Sequence, residues 1–271
     1  MQNPHPFDAA TRLSKTGPGE YSGHTHPRYD NMAGPYGGIT AACLLNAVLE
    51  DARRIGDPVS MTVNLCAPVA DGPFALSAAP RRSGKYIQHW AVELTQNGQL
   101  CTTASVICAN RSESFHAHPG QMPQVPQPSG VPPLDLGDRM AWLRAYEFRF
   151  IEGIPDFKGL TGPGPHPARS VQYVADLPPR PLDYLSLTAI ADSFILRIFK
   201  VRPAMVPMGT VSITTHFIAT AAEIAAQGTT PVLGVVDSAR MTENFHDQTM
   251  QIWGKSGNLL ASGNQLAWFK T

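Results

Sequence analysis

Asp192 sits where a carboxylate is costly. It lies in the run LSLTAIADSFILRIF from Leu185 to Phe199, and its neighbours one helical turn away are Thr188, Ala189, Ile195 and Leu196. None carries an opposite charge. An acid in such a stripe must be hydrogen-bonded or open on a cavity. Desolvation raises its pKa, and a carboxylate so raised serves as a general base near neutral pH. The competing reading is an aspartate on a partly exposed helix edge.

Gln265 is the second candidate. On the last strand-like run it alternates with Leu259, Ala261, Gly263, Ala267 and Phe269. An amide on a small, apolar face suits a buried group that orients a water or a carboxylate. The competing reading is an edge-strand amide facing solvent. Thr210 is the third. A hydroxyl at a strand start can hold a water, but strict alternation groups Thr210 with Ser212, Thr214 and His216 on the more polar face. It turns inward only if regular pairing starts after it or a bulge intervenes. Gly37 and Gly38 precede an apolar helix. N–H groups at a helix start form a ready site for a carbonyl or oxyanion, and glycine permits close approach; an ordinary turn is the alternative.

Other groups carry less. His24 and His26 are near neighbours in a loop-like segment without a third ligand. His216 reads as a strand-face histidine. Ser83, Ser193 and Ser262 lack a nucleophile-elbow pattern. No phosphate loop or dinucleotide fingerprint occurs. Neither a metal nor a cofactor is expected.

The elements that must position these residues come in two copies. Residues 58–65 read PVSMTVNL and residues 210–217 read TVSITTHF. Each follows an apolar helix-like stretch, and each copy closes on a glycine-turn strand, NGQLCTTAS at 97–105 and SGNLLASGN at 256–264. The first helix is expected from Ile39 to Arg54, apolar on most sides and therefore buried. The second is expected from about Leu182 to Phe199. Strands are expected near 59–65, 74–80, 86–96 and 100–109, then 146–151, 170–175, 211–218, 230–240, 248–253 and 259–269, with Asn97-Gly98 as a hairpin signal. A proline- and glycine-rich excursion separates two of them, from Gly153 to Pro167. Residues 116–133 are rich in proline and glutamine, an extended, semi-rigid linker composition. Each copy is thus a helix against mostly antiparallel strands, an α+β layer.

Composition narrows the function classes. The chain has 271 residues, 43% of them hydrophobic, and equal numbers of basic and acidic side chains. That supports a core and gives no global basic field for nucleic acid. No apolar stretch reaches membrane-spanning length, and no secretory leader is read at the N-terminus. Cys43, Cys66, Cys101 and Cys108 show neither zinc nor redox spacing, so buried, reduced thiols in a cytoplasmic protein are expected.

With these pieces in place the chain resembles the type II (TesB-like) acyl-CoA thioesterases, which are double hotdogs. The resemblance runs from about Tyr29 to the C-terminus. It is carried by GPYGGI at 34–39, the strand runs 59–69 and 81–98, IADSF at 190–194, GTVSITTHF at 209–217, Asn244-Phe245, QIW at 251–253 and LASGNQ at 260–265. The resemblance implies that Asp192, Thr210 and Gln265 orient a hydrolytic water. Residues 1–115 would form the N-terminal hotdog unit, 116–140 a proline-rich linker and 141–271 the C-terminal unit. One departure is Ala175, where many relatives carry an arginine after the aromatic here at Tyr173.

The expected function is hydrolysis of an acyl-CoA, with Asp192 as base and a Gly37 or Gly38 N–H on the thioester carbonyl. Arg53, Arg54, Arg81, Arg82, Lys85 and Arg202 are candidates for the CoA phosphates, and a homo-oligomer through the hotdog sheets is expected. Two rivals remain at this level: a hotdog hydratase or dehydratase, and a non-catalytic acyl-CoA or small-molecule binding protein. The first usually wants a histidine on a helix or its entry loop; no histidine lies between His26 and His89 or between His166 and His216.

Overall fold

A computed structural model describes residues 4–155, 166–202 and 206–270. The first half contributes the one-turn helix α1 (Pro6–Ala10), strands β1 (Ser14–Gly17) and β2 (Glu20–His24), and the short pair β3 (Asp30–Asn31) and β4 (Gly34–Pro35). Helix α2 (Gly37–Leu49) follows, then β5 (Asp57–Leu65), β6 (Pro73–Ser83), β7 (Ile87–Gln96) and β8 (Gln99–Ala109). The second half has β9 (Tyr146–Glu152), β10 (Ser170–Asp176), helices α3 (Tyr184–Asp192) and α4 (Arg197–Val201), and β11 (Met208–Phe217). It ends with helix α5 (Ala221–Gln227), β12 (Val232–Asp237), β13 (Met241–Thr242), β14 (Phe245–Trp253) and β15 (Leu259–Phe269).

The long strands form one antiparallel sheet whose order mirrors the repeat. Outward from a central seam the first half runs β5, β8, β7, β6, β2, β1, and the second runs β11, β15, β14, β12, β10, β9. The seam is β5 against β11, with Thr62 opposite Thr214. These two threonines also match in the repeat alignment, so a pseudo-dyad passes between them; their hydroxyls lie 2.9 Å apart. The α+β double hotdog expected from the resemblance is the fold observed.

Helices α2 and α3 lie in the hollow of this sheet and pack on each other. Ala42, Leu44, Leu45, Ala47 and Val48 of α2 and Leu187, Ala189 and Ala191 of α3 are fully enclosed. A helix apolar on most of its surface is stable only in such a place, with sheet on one side and helix on the other. Helix α2 ends earlier than Arg54, because Asp51 accepts hydrogen bonds from the Arg53 backbone N–H and its guanidinium and turns the chain.

The second expected helix is in fact broken. Helix α3 starts at the Asp183 cap and stops at Asp192; α4 begins at Arg197. Four residues, 193–196, leave the helical path, and Asp192 becomes a helix C-terminus. The β1–β2 hairpin and α5 add to the expected elements. The excursion expected at 153–167 falls mostly on residues 156–165, which lie outside the described residues.

The proline-rich segment is not a free spacer. Tyr173 donates its hydroxyl to the Pro126 carbonyl at 2.9 Å. Met122, Val125 and Val131 pack with Val171, Tyr173, Leu233 and Trp253, in a small cluster separate from the main core.

Candidate active site

The C-terminus of α3 meets the N-terminus of α2, and Asp192 lies at that meeting point. The approach is close: a Cβ at Gly37 would stand 2.7 Å from Asp192 Oδ2. A side chain there would have to displace the carboxylate from its present position. The Gly38 backbone N–H faces the Asp192 carboxylate and favours its charged form. Among the described residues, no protein acceptor takes the Gly37 N–H.

Three residues separated widely in sequence converge here. Gln265 Nε2 donates to Asp192 Oδ1 at 2.9 Å and also to Thr210 Oγ1. Both amide hydrogens of Gln265 are thereby committed. With its oxygen accepting from Gln265, the Thr210 hydroxyl keeps its own hydrogen to donate.

Thr210 reaches this place through a bulge. Thr210 pairs with Ala267, but Ser212 pairs with Leu266, so Val211 is the extra residue. Ala267 is buried and Leu266 exposed, so Thr210 faces inward while Ser212, Thr214 and His216 keep the outward alternation. The first copy carries the same irregularity between Pro58 and Ser60. Gln265 lies inward as its alternation implies, 4% exposed.

The Asp192 carboxyl is pushed up to about 7. The main cause is desolvation; the Gln265 hydrogen bond and the Gly38 N–H pull the other way. The side chain is half-buried and opens on a cavity. A helix C-terminus at Asp192 further opposes the charge, whereas the α2 N-terminus facing it favours it.

That cavity measures about 650 Å³ and is walled by both halves of the chain, including Tyr36, Gly37, Leu65, Asp192, Phe194 and Thr210. Its wall is mainly apolar and, among the described residues, contains no histidine. Tyr36 was not singled out from sequence: its ring stacks on Trp142 with centroids 4.4 Å apart, and its hydroxyl donates to the Ala189 carbonyl at 2.5 Å. Its position next to Gly37 was the only signal.

None of the basic residues expected for phosphates is among the described residues of the cavity wall. Arg53 and Arg54 follow the C-terminus of α2, a helix length of ~20 Å from Gly37. Arg53 is paired with Asp51 at 2.7 Å and caps the Ala78 carbonyl of β6, the strand that continues to Arg81 and Arg82. Lys85 lies over the Tyr86 ring, and Arg202 is exposed after α4. Among the described residues, the cation in the cavity wall is Arg139, which donates to the Leu136 carbonyl at 2.7 Å. Nor are all four thiols buried: Cys66 is exposed and lines the cavity. His26 accepts the Arg28 N–H and caps a short turn.

The dyad-related position is different chemistry. Pro58 stands where Thr210 does and Val106, fully buried, where Gln265 does. Asn46, the amide of the first-copy helix, is bonded to the Thr11 carbonyl at 2.9 Å.

Comparison with known proteins agrees with this architecture. The chain matches the family model of the acyl-CoA thioesterase N-terminal domain over residues 25–109 and that of the C-terminal domain over 119–269. None of the curated proteins matches it. A solved protein of unknown function with a hot dog fold from Alicyclobacillus acidocaldarius is 36% identical over 99% of both chains, with a TM-score of 0.93. The tesB protein of Mycobacterium avium subs paratuberculosis is 18% identical over 98% of both chains, with a TM-score of 0.77. The acyl-CoA thioesterase II TesB2 of Mycobacterium marinum is 15% identical over 97% of this chain and 98% of its own, with a TM-score of 0.75; at such identities the likeness is one of fold. The chain therefore belongs to the acyl-CoA thioesterase family, has the double-hotdog fold, and is a thioester hydrolase.

Proposed function

We propose that the chain hydrolyses an acyl-CoA to the carboxylic acid and CoA, with Asp192 as general base and Thr210 and Gln265 ordering the reacting groups. The observation that carries this reading is the Asp192 carboxylate, raised to about 7, bonded by Gln265 and opening on an apolar cavity between the two halves.

Water attacks the thioester carbon while Asp192 takes its proton. The Thr210 hydroxyl donates to that water, leaving one lone pair for the attack. The tetrahedral oxyanion accepts the Gly37 N–H at the helix start, where fixed donors stabilise developing charge without reorganising. Collapse breaks the C–S bond, and the proton held by Asp192 returns to the leaving thiolate. Every step is carried by side chains and backbone groups of the chain, without a covalent acyl-enzyme. Residues 1–115 and 141–271 serve as the two hotdog units, joined by 116–140. Any pairing of chains through the outer sheet face would use Phe245, Leu266 and Trp268, which are exposed. The free cysteines fit a reducing, cytoplasmic setting. The direct test is thiol release from a panel of acyl-CoAs; binding without release on every member would favour a binding protein.

Two expected outcomes follow from the geometry. The base must be ionised to accept a proton, so kcat/KM should rise with pH through a midpoint near 7 and then level off. A midpoint below about 5, the ordinary carboxylate range, would mean that another group controls the rate. The second is stoichiometric. Pro58 and Val106 cannot replace Thr210 and Gln265, so a non-hydrolysable acyl-CoA thioether should titrate one site per chain. Calorimetry showing two equivalent sites would contradict this.

A further inference from the structure

We propose that Gln248 is a positioning residue of this site, holding the Gln265 amide in the one orientation that aims its N–H groups at Asp192 and Thr210. The inference rests on the roles just proposed for those three residues. A side-chain amide has a donor end and an acceptor end of nearly the same shape. Turned over, Gln265 would set its oxygen against the carboxylate and lose both bonds. Something must choose between the two orientations.

Gln248 makes that choice. It is the direct cross-strand neighbour of Gln265, on β14 against β15, and its Nε2 donates to Gln265 Oε1 at 2.8 Å. Its own direction is set by backbone groups that cannot reverse. The Arg197 N–H donates to the Gln248 amide oxygen at 3.2 Å, and Gln248 Nε2 donates to the Phe194 carbonyl at 3.2 Å. An N–H only donates and a carbonyl only accepts. The polarity therefore passes from the backbone to Gln248, then to Gln265, then to Asp192.

Those two backbone groups belong to the break between α3 and α4, the same break that makes Asp192 a helix terminus. Gln248 satisfies what the break strands, and the break is pinned. The Phe194 ring fills space that Gly234 leaves open; a Cβ there would stand 2.2 Å from it. Arg197 is fully buried, donating to Ser170 Oγ at 2.8 Å, the Ala168 carbonyl at 3.0 Å and the Ile195 carbonyl at 2.9 Å. Gln248 itself is 2% exposed and is absent from the cavity wall, so it acts through Gln265 rather than on substrate.

The test compares Gln248→Met, Gln265→Met and the double variant in the full chain. In folded Gln248→Met, kcat should fall about tenfold or more with KM within about twofold, a change of at least about 1.4 kcal/mol in the barrier. The acid limb should move to higher pH, because Asp192 loses a donor that favours its charged form. Adding Gln248→Met to Gln265→Met should cost little more. Gln248→Glu is the second variant. Its anion can only accept, so it turns the Gln265 amide over; its neutral acid still donates. Its activity should fall with rising pH where the wild type is level. A wild-type kcat and pH profile in Gln248→Met, fully multiplying losses in the double variant, or a wild-type plateau in Gln248→Glu would overturn the inference. If Gln265→Met is itself silent, the proposed mechanism fails first; if it is crippled while Gln248→Met is not, only the role of Gln248 fails.

Discussion

Asp192→Asn is expected to lose thioester hydrolysis by roughly 10²-fold or more, the usual loss when a general base is removed. The amide keeps the shape of the carboxylate and still accepts the Gln265 hydrogen bond, but it cannot take a proton from water. The loss should fall on kcat, since the apolar cavity wall that would hold the acyl group is untouched. The residual rate should also lose the acid limb near pH 7, because the group that titrates there is gone. Near-wild-type turnover in a well-folded Asp192→Asn protein, measured by thiol release, would remove Asp192 from the mechanism.

The same substitution has a stability signature that separates lost chemistry from lost folding. The Asp192 carboxyl holds its proton up to about pH 7 in the fold but only to about 4 when unfolded. Its contribution is therefore fully favourable below pH 4 and is lost as pH climbs to about 7. Above that the ionised group costs the fold on the order of 4 kcal/mol. Asp192→Asn should melt above the wild type at pH 8, and the gap should shrink towards pH 4. An active-site carboxylate kept in a poorly solvated place is a case of function held against stability.

How much of this was legible from sequence depends on which physical rule each residue obeys. Asp192 broke a rule, standing as a lone acid in an apolar helical run, and that made it visible. Gln265 keeps strict alternation with the inward face of β15, although an amide taken alone fits a solvent-facing edge as well. Thr210 could not be resolved: alternation pointed it outward, and only the bulge at Val211, fixed by pairing with β15, turns it inward. The break after Asp192 is not legible because residues 193–201 hold no glycine or proline to mark it. What ends the helix there is tertiary, the Gln248 amide bonding Phe194 and Arg197. Gln248 had a signal of its own, alternating with the inward Met250 and Ile252 just as Gln265 does on β15. Helix α5 had a plainer one in Thr220 and Glu223, a capping box whose reciprocal bonds are both made.

Gln265→Ala should cost more turnover than Thr210→Val, because of how their hydrogen bonds are arranged. Gln265 holds both partners at once, donating to Asp192 and to Thr210 while accepting from Gln248. Removing it frees the base and the hydroxyl together, and leaves the Gln248 donor unpaired in a buried place. A charge-assisted bond to a carboxylate is worth about 1.5–3 kcal/mol and a neutral one about 1, so a loss near 10²-fold is expected. Thr210→Val removes one hydroxyl and keeps the shape, so about tenfold is expected. Neither residue can accept the proton in place of Asp192, so both losses should appear in kcat with little change in binding of a thioether analogue. Combined, the two should lose less than the product of their separate effects, because Thr210 is already misplaced once Gln265 is gone. The two single variants also test different links. If Thr210→Val turns over as the wild type does, its hydroxyl does not touch the reacting water, and the bulge on β11 serves only the packing of the seam. If Gln265→Ala is equally silent, the Asp192 carboxylate needs no orienting group, and the hydrogen-bonded chain behind it has no part in the reaction.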